Sequence, residues 1–117
     1  MADKQPPADW LFALDDMMAQ MPRAAEKGWV EAPLKYGSLL LGVYAPRGED
    51  PQEPHEQDEV YVVMRGRGTF INGAERKAFA PGDLLFVPAN VVHRFEDFSD
   101  DLALWVVFYG PEGGENP

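Results

Sequence analysis

The chain has 117 residues, enough for one domain built around one modest core. Twenty Asp and Glu against ten Lys and Arg leave a net charge of −10, a field that repels nucleic-acid phosphates and anionic membrane surfaces. The absence of cysteine excludes disulfides, thiolate metal sites and a cysteine nucleophile.

Residues 1–8, with Pro6 and Pro7, read as a flexible tail. No basic stretch leads into a long apolar run, and Asp15 and Asp16 interrupt the only candidate, so neither a signal peptide nor a membrane span is expected and the cytoplasm is the default location. Residues 9–21, "DWLFALDDMMAQM", predict a short helix that Asp9 caps and Pro22 stops. Trp10, Leu14, Met17 and Met21 recur there at helical spacing, with Leu11 and Met18 beside them, and this stripe is expected to pack on the domain.

From about residue 28 the period changes from helix to strand. "SLLLGVYA" (38–45) and "EVYVVMR" (59–65) read as strands, and "GTFINGAERKAF" (68–79) as a hairpin with Asn72-Gly73 in a type I′ turn. "LLFVP" (84–88), "VVHRFEDF" (91–98) and "LALWVVFY" (102–109) complete the set, and residues 111–117, with no core-forming residues, read as a second flexible tail. Eleven glycines and eleven prolines punctuate these runs. A helix followed by many short strands, with no parallel βαβ rhythm and no repeat, predicts an all-β antiparallel sandwich or barrel spanning the chain as one domain. "LALWVVFY" is apolar on both faces, so one face fills the interior and the other needs a cover, either the helix or a second subunit.

The chain has two histidines, His55 and His93. Strand alternation places Glu59, Tyr61 and Val63 on one face, with His55 in phase if its loop stays extended, and Val91, His93 and Phe95 on one face of a later strand. If both faces point inward, His55, Glu59 and His93 converge, and two imidazoles with one carboxylate suit a divalent metal with open positions.

"PHEQDEVYVVMRG" resembles the first cupin motif, H-x-H-x3,4-E-x6-G, with His55 as its second histidine, then Glu59 and Gly66. "GDLLFVPANVVHRFED" resembles the second motif, G-x5-P-x-G-x2-H-x3-N, with Gly82, Pro88 and His93 in place. The resemblance covers about residues 36–110 and implies a jelly-roll barrel, the antiparallel double-stranded β-helix, with the short helix in front. The sequence departs from the pattern at three positions: Glu53 stands for the first histidine, Asn90 for a glycine and Asp97 for the asparagine. Cupins bind one metal through three histidines and a glutamate, so the resemblance implies a fourth ligand other than histidine. Parity favours Glu53, whereas "DPQEPHEQDE" resembles a cupin subgroup whose glutamine belongs to the pattern, favouring the amide oxygen of Gln52. The expected set is Gln52, His55, Glu59 and His93, with Glu53 as the alternative to Gln52, around one divalent transition metal: iron, manganese, nickel or zinc.

The resemblance further implies a small organic ligand inside the barrel and a homodimer. Dioxygenase, isomerase or lyase chemistry would fit, and so would a non-catalytic ligand-binding or sensor module. A wall of Tyr61, Val63, Phe86 and Phe95 is expected to admit a keto acid, an enolisable diketone or a catechol-like compound, with Tyr61 near the bound molecule. Arg65 and Arg67 read as solvated charges at a strand end.

Overall fold

The computed structural model describes residues 9–20, 28–50 and 52–117, and only the backbone at 31–33. One helical turn, α1 (Leu14–Met18), precedes eight strands: β1 (Trp29–Tyr36), β2 (Leu39–Tyr44), β3 (Asp58–Arg65), β4 (Gly68–Asn72), β5 (Glu75–Phe79), β6 (Leu84–Val87), β7 (His93–Glu96) and β8 (Ala103–Tyr109). They form a five-stranded sheet in the order β1-β2-β8-β3-β6 and a three-stranded sheet in the order β5-β4-β7. Every strand pair is antiparallel. This is the expected all-β jelly roll.

Register explains why the long apolar runs carry no alternation. Across the five-stranded sheet, Leu85, Tyr61, Val106 and Gly42 stand opposite one another, as do Val87, Glu59, Phe108 and Leu40. These side chains face the interior. The alternate rows, Leu84-Val62-Trp105-Val43 and Phe86-Val60-Val107-Leu41, face outward and are apolar as well. The interior is closed by Phe70, Phe79 and Phe95 from the second sheet, packed with Tyr44, Tyr61, Val63 and Leu104.

The outward rows are covered only in part. Met17 is buried with Val30, Val43, Ala45 and Ala103, and Phe12, Leu14, Met18, Leu41 and Trp105 pack around them. The helix is shorter than the 9–21 expected. Ala13 is the N-cap without a side-chain hydrogen bond, so Asp9 caps nothing, and Trp10 is 79% exposed. So short a helix has little stability of its own and forms where docking holds it, which leaves Trp10 and Leu11 outside the packed stripe. Met21 and Pro22 lie outside the described residues. Among the described residues no helix is long and apolar enough to cross a membrane.

Three local features differ from, or explain, the sequence pattern. β1 is a strand that the pattern read only as a change of period. It contains Pro33, tolerated because β1 is an edge strand with a register irregularity between Glu31 and Lys35. In the hairpin Asn72 pairs with Glu75, so the two-residue loop is Gly73-Ala74, with positive φ at Gly73 alone. That is the type II′ pattern, one residue further on than the I′ turn expected. Gly66 ends β3 at φ +91°, and a Cβ there would lie 2.7 Å from the Cα of Leu102, so only glycine fits. Among the described residues, those other than glycine with positive φ are Asn90 (φ 63°) and Asp97 (φ 50°), the same two positions where the sequence departs from the second motif. Asn and Asp are the side chains that tolerate this region best, so the backbone of the motif is kept.

Candidate metal centre

The loop 45–57 delivers the first half of the site and β7 the second. Asn90 donates its backbone N–H to the carbonyl of His55 at 2.7 Å, so the left-handed turn before β7 holds the histidine loop directly. Asp58, buried at the start of β3, accepts from the backbone N–H of Ala89 (2.9 Å) and of Glu115 (2.8 Å). Gly113 donates to the carbonyl of Glu56 at 2.7 Å. The segment 111–117, read from sequence as a flexible tail, is thereby tied to the strand and loop that carry His55 and Glu59.

His55, Glu59 and His93 each offer a ligand atom within 4.8 Å of the others, a cluster that can hold a metal ion. Glu59 is 1% and His93 2% exposed, while His55 is half-buried against Phe108 and His93. His93 Nδ1 donates to the Val91 carbonyl at 2.8 Å. In the neutral ring this leaves Nε2 as a lone pair, 3.0 Å from Glu59 Oε1 and out of line for a hydrogen bond. Both Glu59 oxygens and His93 Nε2 are therefore buried without a hydrogen-bond partner. Buried polar atoms are rarely left so, because desolvation without compensation costs roughly 1–3 kcal/mol or more each. Three orphaned atoms on adjoining buried side chains, one imidazole fixed by its second nitrogen, fit a bound cation.

The surroundings set the protonation of the cluster. Burial, assisted by the second imidazole, lowers the pKa of His55, although the Glu59 carboxylate opposes this. For His93 burial also pulls downward, but the adjoining Glu59 carboxylate and the Val91 carbonyl outweigh it and raise the pKa. Tyr61 stays a phenol, its pKa pushed well up by burial and by the Glu59 charge.

Gln52 lies at the same cavity. Tyr61 donates its hydroxyl to Gln52 Oε1 at 2.8 Å, and Gln52 Nε2 donates to Asp50 Oδ2 at 2.6 Å. A carboxylate only accepts, so Asp50 must face the NH2 end, and the amide oxygen is turned toward Tyr61. Asp50 also accepts from the backbone N–H groups of Gln52 (3.2 Å) and Phe95 (2.8 Å) and from the hydroxyl of Tyr44. Sequence reasoning missed this role of Asp50. The signal available was an Asp two residues before the glutamine, the spacing of an Asx turn. Glu53 is exposed, and its carboxylate is not a member of the three-residue cluster.

The cavity, about 510 Å3, is walled by Trp29, Leu40, Tyr44, Pro54, Tyr61, Val106 and Phe108, with Gln52, Glu53, His55 and Glu59 supplying its polar groups. Of the wall expected from sequence, Tyr61 is present. Val63 and Phe95 are instead buried in the core beside it, and Phe86 stands opposite Val60 on the outer face of the sheet, 47% exposed. "LLFVP" has no alternation to reveal its inward parity, which the pairing with β3 decides. Trp29, Leu40, Tyr44, Pro54, Val106 and Phe108 are the wall residues that the sequence did not single out. Arg65 pairs with Asp15 of the helix at the surface.

Residues 40–109 match the family described as "Cupin domain". An uncharacterised protein of Streptomyces coelicolor is 41% identical over 103 residues, which cover 86% of this chain and 96% of that protein. Acireductone dioxygenase 1 of Pectobacterium atrosepticum is 38% identical over 68 residues, 53% of this chain and only 39% of that protein. The crystal structure of a Thermus thermophilus protein superposes with a TM-score of 0.60 at 25% identity, covering 79% of this chain and 92% of that one. With both motifs in order, His55, Glu59 and His93 gathered into one cluster and the family match spanning most of the barrel, the chain belongs to the cupin domain family.

Proposed function

We propose that the protein is a metal-dependent cupin that binds a small organic molecule in the barrel, its ion held by His55, Glu59, His93 and the amide oxygen of Gln52. The observation that carries this is the trio of orphaned atoms on Glu59 and His93, which a cation would satisfy together. Asp50 fixes the direction of the Gln52 amide, and Val91 fixes the tautomer of His93. A divalent ion of iron, manganese, nickel or zinc would supply Lewis acidity toward a ligand oxygen or, for the redox metals, dioxygen chemistry. Tyr61 holds its proton at Oη, within reach of a molecule seated against Gln52. The partial match to acireductone dioxygenase 1 favours oxygen chemistry on an enediol-type ligand among dioxygenase, isomerase and lyase activities. Thin acid–base equipment around the cluster keeps a non-catalytic binding module as the second reading.

Elemental analysis of protein purified without added metal tests the first reading, with close to one transition-metal ion per chain expected. Gln52→Ala should lower metal affinity by roughly tenfold or more and Glu53→Ala should leave it within about twofold, the scale seen when groups around a metal are altered. A greater loss in Glu53→Ala would reassign the fourth ligand.

The outer sheet face supports a homodimer. Val60, Val62, Met64, Leu84 and Phe86 continue the apolar surface beyond the helix, with Leu84 62% exposed. A second copy laid on this face would form an obligate interface on the order of 2,000 Å2. Light scattering at micromolar concentration should give twice the chain mass, and Leu84→Lys with Phe86→Lys should give the monomer. A monomeric wild-type protein would refute the pairing.

A further inference from the structure

The cavity wall has a charge character that narrows the ligand. Trp29, Tyr44, Tyr61 and Phe108 surround it with ring faces and edges, Trp29 and Phe108 meeting edge-on with centroids 5.9 Å apart. Gly42 makes room for this wall: it lies on the inward row of β2, and a Cβ there would overlap the Trp29 indole. The charged groups on the cavity are carboxylates, Glu59 at its depth and Glu53 exposed on it, and among the described residues no lysine or arginine lines it. Asp50 stands behind Gln52 and adds a third negative group nearby. The whole chain, at −10, biases the field in the same direction.

From this we infer that the site selects ligands with an uncharged, flat body, whose oxygen donors point to the histidine end, and discriminates against ligands carrying a second anionic group. The inference rests on the metal-site reading above. A second anionic group on a ligand would meet only carboxylates, Glu53 and Glu59, on a cavity that no lysine or arginine lines among the described residues, and a charge left unpaired against apolar rings is disfavoured. A flat neutral body instead meets ring faces and edges, where its burial is favourable. Keto acids remain possible only where their single carboxylate is itself a donor at the histidine end. Dicarboxylates, phosphate esters and acidic sugars are excluded.

A matched pair tests this. 4-Methylcatechol and 3,4-dihydroxybenzoate share a chelating head and differ in the group at the opposite end, methyl against carboxylate. The carboxylate does not weaken the head as a chelator, so weaker binding of the acid reports the wall. Calorimetric titration of the zinc-loaded full chain, under anaerobic conditions, should give at least about tenfold tighter binding of 4-methylcatechol. Binding should be lost in His55→Ala, which locates it at the cluster. Glu53→Lys, an exposed position outside the cluster, should narrow the preference at least about threefold by improving binding of the acid. Equal affinities, or tighter binding of the acid, would overturn the charge selection and leave the metal site standing. Binding of neither compound to protein that carries its zinc would overturn this inference and leave the metal site to the elemental analysis above, and binding undiminished in His55→Ala would place the ligand elsewhere and overturn the selection.

Discussion

Replacing His93 by Ala should abolish stoichiometric metal binding, lowering affinity by more than the roughly hundredfold upper range seen when only outer groups around a metal are changed. The side chain is the most constrained member of the cluster. Its Nδ1 is committed to Val91, its ring packs against Tyr61, Phe70 and His55, and its Nε2 meets Glu59 in a space closed to water. Elemental analysis after dialysis against buffer without chelator reads the result directly. Retention of a full equivalent of metal by His93→Ala would dismiss the assignment of the site. The substitution should also leave the Glu59 carboxylate buried beside a void, so metal-free His93→Ala is expected to be less stable than metal-free wild type.

Phe95→Ala should cost about 3–5 kcal/mol of folding stability, a large part of what a domain of this size possesses. Phe95 is 1% exposed and its ring contacts those of Tyr44, Tyr61, Phe70 and Phe79, with centroid distances from 4.7 to 6.3 Å. It is the aromatic hub by which the three-stranded sheet packs on the five-stranded one. The neighbours belong to four other strands held by their own ladders, so they cannot collapse into the space, and the cavity term adds to the lost transfer energy. Urea denaturation followed by tryptophan fluorescence gives the difference. A loss below about 1.5 kcal/mol would mean that the interior relaxes around the missing ring and is less tightly packed than the aromatic contacts imply.

What could be read before the fold was known follows from short-range rules. Glycine and proline spacing marks turns because few residues accept their backbone angles, so the strands from 38 to 109 emerge in order and close to their observed limits. The two motifs place His55, Glu59 and His93 because each lies within or beside a strand, where side-chain direction follows the parity of two. The departures at Asn90 and Asp97 are legible for the same reason: both residues can sit at positive φ, and both do.

Tertiary structure decided what parity and propensity leave open. "LLFVP" is apolar at every position, so only its pairing with β3 sends Phe86 outward and Leu85 inward. The orientation of Gln52 is set in an irregular loop with prolines, where alternation lapses. There the Asp50 hydrogen bonds, reaching Tyr44 and the backbone of Phe95 across the fold, turn the glutamine amide toward Tyr61. Helical spacing at 9–21 overstated the helix because a segment this short takes its stability from the surface it docks on, and that surface reaches Met17 and Phe12 but not Trp10. The cavity wall needed the fold most of all. Trp29 is brought over Gly42 by β1, an edge strand whose proline obscures it in sequence, and the ring wall exists only because four strands, β1, β2, β8 and β3, pair side by side. Local steric preference acts along the chain and is visible there, whereas the partner across a sheet is fixed by long-range packing that no single segment contains.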